Sequence, residues 1–372
     1  MSSPRSRLGL AVVLLGSTVV LACSEPTGST PQNKLVFQVV ANQTARTAFA
    51  APVKVEIQDA SGSVVTTATN SVTIALGTNP GTILWHASGC CIGPINAVLE
   101  TVDPGSPAVI AGPVVTTTSE ITALVYDPVN NILLGVDRSD SLITINTATG
   151  AHTLIGETGI GLAGGDYATG IAYESGATPR LLAVALLGDL FYSINRTTGV
   201  ATSLGAMTLA GETILGGTGL ATDPTTGTIY GILKLASLVN PARALVTINP
   251  TTRVVTKIGT LGETGMADLA FSAAGTLYGV TGDGGANSET LYTINKTTGA
   301  TTLVLHLGNG SDGEAIASVQ AALLGTVTVP AVAGVATFPG LQINAAANGY
   351  TLAASATALT AGTSAVFNVV AP

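Results

Sequence analysis

Leu291-Tyr-Thr-Ile-Asn-Lys-Thr-Thr-Gly299 decides how this chain is read, because it is written four times. The other copies are Leu142-Ile-Thr-Ile-Asn-Thr-Ala-Thr-Gly150, Leu190-Phe-Tyr-Ser-Ile-Asn-Arg-Thr-Thr-Gly199 and Leu245-Val-Thr-Ile-Asn-Pro-Thr-Thr-Arg253, with a weaker fifth at Val98-Leu-Glu-Thr-Val-Asp-Pro-Gly105. A short apolar strand follows each copy, and a pair of strands precedes each strong one, as in Gly219-Leu-Ala-Thr-Asp-Pro-Thr-Thr-Gly-Thr-Ile-Tyr-Gly231. Four short strands recurring about every fifty residues predict a β-propeller, whose blades are four-stranded sheets set around a channel. The Asn of each repeat suits an Asx-turn that accepts backbone N–H groups, with the Gly in a left-handed position, so the motif is structural and not catalytic.

Glu314-Ala-Ile-Ala-Ser-Val319 reads as an innermost strand without a blade, while the copy near Val98 lacks an innermost strand. Joined, they make one composite blade and close the ring at about five blades, four and six being the alternatives. The repeats resemble the LYxINxxTG-type propeller repeats of many exported bacterial proteins, a likeness that implies the fold and no particular activity.

With strands named a to d outward from the channel, d-to-a and b-to-c loops share one face, and a-to-b and c-to-d turns share the other. The second face holds short stereotyped turns; the first holds long variable loops and most of the carboxylates. Glu120, Asp166, Asp268, Asp312 and Glu314 precede or begin innermost strands and are expected to ring the channel mouth. Such a ring suits a hard cation such as Ca²⁺, or a cationic or polyhydroxylated ligand, although no segment matches an EF-hand.

Outside the repeats, Val53-Lys-Val-Glu-Ile-Gln58 alternates apolar and polar residues as a half-buried strand should. Similar strands stand at Lys34–Val40 and Ser71–Leu76, and again at Gly334–Ile343, Gly349–Ser355 and Ala365–Val370. Neither group closes a sheet domain alone. VKVEIQDASGSVVTTATNSVTIAL and GVATFPGLQINAAANGYTLAASA resemble the Ig-like repeats of bacterial surface proteins, which implies a discontinuous Ig-like β-sandwich interrupted in a loop. The expected division is 34–80 and 324–372 for the sandwich, with 81–323 as the inserted propeller. The whole ectodomain is all-β.

The start of the chain carries an address. Arg5 and Arg7 precede an apolar run from Leu8 to Leu21 and then Ala22-Cys23, a secretory signal whose run is too short to span a bilayer. Ala22-Cys23 resembles the lipobox of bacterial lipoproteins. That implies a signal peptide over 1–23, lipidation of Cys23, a linker over 24–33 and, with Ser24 after the Cys, the outer membrane. Composition agrees with an exported β protein: 45 Gly, 17 Pro, 9% charged residues and a net charge of -8, with no basic cluster beyond the signal to hold nucleic acid. Cys90 and Cys91 are the remaining cysteines, candidates for a vicinal disulfide, with dimerisation and reduced thiols the other states open to them.

The three histidines, His86, His152 and His306, supply no evident nucleophile–base pair. The sequence therefore points to a cell-envelope-anchored binding or adhesion protein for a glycan, a peptide or an envelope partner. A calcium-dependent propeller hydrolase or lactonase and a purely structural envelope protein are the alternatives.

Overall fold

A computed structural model describes residues 32–372 apart from 89–91, 106–108, 128–131, 162–164, 177, 283–286 and 308–312. Signal, lipobox, Cys90, Cys91 and Asp312 lie outside the described residues, as does the side chain of Glu314. The described chain is β throughout apart from turns and loops.

Each strong repeat supplies the two outer strands of a four-stranded antiparallel sheet. Blade 1 comprises Ile121–Asp127, Ile132–Asp137, Ser141–Ile145 and His152–Glu157. Blade 2 comprises Ala168–Tyr173, Leu181–Ala185, Leu190–Ile194 and Ala201–Ala206. Blade 3 runs Ile214–Thr222, Ile229–Leu235, Ala244–Ile248, Val255–Thr260, and blade 4 runs Met266–Phe271, Leu277–Thr281, Thr290–Ile294, Thr301–His306. Blade 5 is composite: its innermost strand, Gly313–Gln320, pairs with Thr82–Ser88, which pairs with Ile92–Val102, which carries Val114–Ser119 outside it. The innermost strands touch in the cycle 1–2–3–4–5–1, so the ring closes at five blades. Each gap between blades holds its own apolar cluster, for example Leu134, Ile171 and Leu181 between blades 1 and 2, and Leu84, Ile316 and Val280 between blades 4 and 5.

The repeat residues act as the sequence suggests, with one addition. Asn146, Asn195, Asn249 and Asn295 each accept two backbone N–H bonds at 2.9–3.2 Å from the residues two and three further on. Gly150, Gly199 and Gly299 have φ of 74°, 78° and 77°. These glycines also meet the preceding blade: a Cβ on Gly199 would lie 2.5 Å from the Gly156 carbonyl oxygen, and one on Gly150 2.2 Å from that of Val114. The turn glycine is thus needed twice, for its backbone angle and for close approach.

Arg253 occupies the same place in blade 3 at φ 62°. A side chain in that region costs about 1 kcal/mol, partly offset by the entropy Gly loses on folding. Arg253→Gly is therefore expected to stabilise the protein by about 0.5–1 kcal/mol in urea unfolding; an unchanged or lowered midpoint would show that Arg253 contacts outweigh the backbone strain.

Residues from both chain ends share strands and core. Val53–Gln58 lies between Lys34–Phe37 and Val335–Phe338, and Ser71–Leu76 lies between Thr328–Pro330 and Leu352–Ser355. A third sheet joins Gln43–Thr44, Phe367–Val370 and Ala347–Tyr350. One apolar cluster, including Val55, Ile57, Ile74, Phe338, Tyr350 and Phe367, fills the space between them.

Register fixes how these end sheets meet the ring. Thr82 opposes Gln320, so they leave blade 5 where every other blade has its a-to-b turn. They sit on the stereotyped face. Asp103, in the c-to-d turn of blade 5, reaches into them: its carboxylate accepts the Ala346 N–H at 2.7 Å and the Arg46 guanidinium at 3.4 Å. The chain enters at the opposite pole. Leu352 opposes Leu76 near the ring and Ser355 opposes Thr73 further away, while Thr360, beyond Ser355, bonds Asn33 and Leu35 at 2.9 Å. The Asn33–Leu35 segment and the variable loops thus stand at opposite ends of the described residues.

Candidate functional site

The five innermost strands share a bulge at an equivalent residue, Thr122, Thr169, Thr218, Ala267 and Glu314, and that of blade 3 bulges a second time at Leu215. A bulge turns its side chain out of the ladder, and at the three threonines that is toward the next blade. Thr122 donates to the Ala168 carbonyl at 2.7 Å, Thr169 to Gly217 at 2.7 Å, and Thr218 to Met266 at 3.1 Å. Hydroxyl-to-carbonyl bonds therefore link blade 1 to 2, 2 to 3 and 3 to 4. Ala267 has no hydroxyl, and the series stops at blade 4.

The next residue in each strand faces the axis. These are Ala123, Gly170, Gly219, Asp268 and Ala315, four small residues and one acid. Asp268 is fully buried; its Oδ1 accepts the Leu269 N–H at 2.8 Å and its Oδ2 the Ile316 N–H at 3.1 Å. Backbone N–H groups of Leu124 and Leu220 also act on this carboxylate. One side chain thus gathers amides from blades 1, 3, 4 and 5 and replaces the missing hydroxyl link. Burial pushes its carboxyl well above the ordinary value, against the four N–H donors that pull it down.

Asp268 therefore fills the axis and does not face the mouth, the place expected of it from its position at a strand start. Glu120 is likewise buried and pairs with Arg138 at 3.2 Å, and the Arg138 guanidinium lies 5.5 Å from the centre of the Tyr167 ring. Asp166 is partly exposed; its Oδ1 takes the N–H groups of Tyr167 at 2.9 Å and Leu187 at 3.0 Å. Burial raises its carboxyl above the usual range, ahead of those two bonds. Other acids of the variable face build its loops. Asp137 accepts the Ser139 and Ser141 N–H groups at 3.0 Å, and Asp140 holds the Thr158 hydroxyl and, at 3.0 Å, the Gly161 N–H. Glu212 takes Ser237 at 2.8 Å and Lys257 at 3.1 Å. Among the described residues, no three His, Cys, Asp or Glu stand together as a metal site.

A second pattern, on the stereotyped face, escaped the sequence reading. The variable residue after Asn in the repeat reaches the a-to-b turn of the preceding blade. Arg196 of blade 2 meets Asp127 of blade 1 at 2.9 Å, and Lys296 of blade 4 meets Asp223 of blade 3 at 2.7 Å. Each cation also lies 5.5 Å from an aromatic ring centre, Tyr173 and Phe271 respectively. Where Pro250 takes the position in blade 3, the blade 2 turn has Glu174, which pairs with Arg180 of its own hairpin at 2.6 Å. The acid recurs in all three turns as Asp127, Glu174 and Asp223, and its cation comes from the next blade where that blade supplies one and from the same hairpin where Pro250 stands instead, a signal legible once the repeats are aligned.

Against its burial, Lys296 and Thr225 hold the Asp223 carboxyl below its usual value. A lowered pKa supplies stability above the unfolded value of 3.8 that is lost as pH falls through the folded one. Lys296→Met should cost about 1–2 kcal/mol at pH 7, and the cost should vanish in acid. A cost independent of pH would show the effect to be packing on Phe271.

On the loop face of blades 1 to 3, Asp166, Asp140 and Asp189 act electrostatically on the Tyr192 phenol. Burial first, and then these three carboxylates, raise the Tyr192 phenol above its ordinary value. No protein-family model matches the sequence, and no curated protein matches it. Among solved structures, the chain is similar to one from a nidogen–laminin complex at 15% identity and TM-score 0.42, over 64% of this chain and 98% of that one. A Bacteroides thetaiotaomicron protein of unknown function matches at 12% identity and TM-score 0.43, over 78% and 90%. The Xanthomonas campestris gluconolactonase XC5397 matches at 14% and 0.36, over 73% and 94%. At these values the likenesses say nothing of ligand or activity, and the closed ring of five sheets, four of them four-stranded and the composite one five-stranded, is what makes this chain a β-propeller.

Proposed function

We propose that the chain is an exported lipoprotein, acylated at Cys23, that holds a propeller away from the membrane and offers its variable face to an extracellular glycan, peptide or envelope partner. The observation that carries this reading is polarity: the chain enters the end sheets at Asn33–Lys34, the ring stands on their other end, and the variable loops face outward from there. In this reading the sheets of 34–80 and 324–372 are an Ig-like stalk, and 81–323 is the presenting domain. Chain ends and anchor then belong to the stalk, and any binding partner meets the loops first.

The test is a glycan and peptide array probed with the lipidated full chain, with and without calcium. Binding lost in Leu187→Ser and kept in Thr226→Ala, a change on the stereotyped face, is the expected result. Binding that follows Thr226 and ignores Leu187, or no binding to any array member, would contradict the reading. Mass spectrometry of the membrane fraction checks the anchor: Cys23→Ser should abolish the acylated N-terminus.

A further inference from the structure

The variable face has an apolar spot that the chain itself leaves uncovered. Leu187 is 52% and Leu190 40% exposed on the b-to-c hairpin of blade 2, and Leu215, near the start of the innermost strand of blade 3, is 48% exposed. The Gly188 N–H donates to the Leu215 carbonyl at 2.9 Å, so Leu187 and Leu215 belong to one surface. The hairpin is held from below. Asp166 takes the Leu187 N–H at 3.0 Å, the Tyr167 carbonyl takes the Leu186 N–H at 3.0 Å, and Lys234 reaches the Leu186 carbonyl at 3.2 Å. Leucines on a backbone already fixed lose little further freedom when covered, which is what a docking spot requires.

Its border is acidic. Asp140 and Asp166 flank the hairpin and Asp189 lies within it, and all three bear on the same Tyr192 hydroxyl. Lys234 is the cation that bears on Asp166. Asp189 makes no ion pair among the described residues. A neutral glycan can hydrogen-bond to the carboxylates but stacks on aromatic faces, which these leucines do not offer, and an anionic lipid surface is repelled by the acids. Lysine or arginine flanking an apolar side chain satisfies both parts of the spot at once.

We propose that Leu187 and Leu215, with Asp166 and Asp189 at their border, dock a cationic, apolar-tipped peptide segment of a protein partner. This rests on the variable face being the binding face and names the class of partner that face takes.

The probe is a short synthetic peptide alternating Lys and Leu, with a matched peptide carrying Glu for Lys. Both are titrated over immobilised, lipidated full chain, with empty detergent micelles as the blank. The Lys peptide is expected to bind and the Glu peptide not. Leu187→Ser with Leu215→Ser should weaken binding at least tenfold, and Asp189→Asn several-fold with a flatter salt dependence. Val200→Ser, which removes comparable apolar area from the opposite face, should change nothing. Equal binding of the two peptides, or a double variant that melts normally and binds as wild type does, overturns the proposal. If Leu187-dependent binding is found only for a glycan or for the Glu peptide, the face is right and the partner class wrong. If no binding depends on Leu187, both fall.

Discussion

Asp268→Ala should cost on the order of 5 kcal/mol, enough to leave much of the protein unfolded at 37 °C. Removing the carboxylate takes the acceptor from the amides of Leu269 and Ile316 and the negative partner from those of Leu124 and Leu220, in a place shielded from solvent. Each buried donor left without a partner costs about 1–3 kcal/mol, and a small cavity adds to the sum. The blade 4–5 contact suffers most, because no bulge hydroxyl of blade 4 spans it. Asp268→Asn keeps an acceptor oxygen, but its amide must face donors, so an intermediate loss is expected.

The pH dependence carries the opposite sign to that of Asp223. Because burial raises the folded pKa of Asp268, its contribution is fully present below the unfolded value of 3.8 and is lost as pH rises through the folded value. The wild-type advantage over Asp268→Asn in urea unfolding should therefore shrink as pH rises. An Ala variant as stable as the wild type would show that the axis does not depend on this side chain.

Asp103→Ala should cost about 3 kcal/mol and split one thermal transition into two. The Asp103 carboxylate is buried where ring and end sheets meet, and it serves Gly105 at 3.0 Å on its own turn as well as Ala346 and Arg46 across the junction. Loss of the acceptor leaves the Ala346 amide buried without a partner and strands a half-buried guanidinium. The apolar clusters of each part stay intact, so each should still melt cooperatively. Calorimetry reads the difference: a single transition, merely lowered, would mean that the two chain crossings alone couple ring and end sheets.

Repeats, turn chemistry and the composite blade were legible in the sequence, because each depends on local pattern: alternation, an Asn with a Gly four residues on, an innermost strand left over at Glu314–Val319. The candidate site was less so. Position at a strand start placed Glu120 and Asp268 at the mouth, yet a single bulge residue decides whether the following side chain rises to the rim or points into the axis. Chain position alone does not mark that choice; the alignment of Ala123, Gly170, Gly219, Asp268 and Ala315 does, since four small residues leave room for one carboxylate. The Asp127–Arg196 and Asp223–Lys296 pairs were hidden for a similar reason, as each joins residues about seventy positions apart on different blades. The exposed leucines of blade 2 carry no sequence mark at all, because exposure is settled by which loops fold over them.

Orientation is the central claim, and lipid quenching tests it most directly. Full-length chain is reconstituted through its acylated Cys23 in vesicles that carry a headgroup quencher, with a fluorophore placed at Ser61→Cys or at Leu187→Cys. Ser61 lies in the hairpin that follows Gln58, the partner of Lys34, at the pole where the chain enters, and Leu187 lies on the variable face. Ten linker residues wander roughly 17 Å on average, so the entry pole stays near the bilayer. Strong quenching at Ser61 with little at Leu187 is the predicted result, and equal quenching at both, or stronger quenching at Leu187, would contradict it.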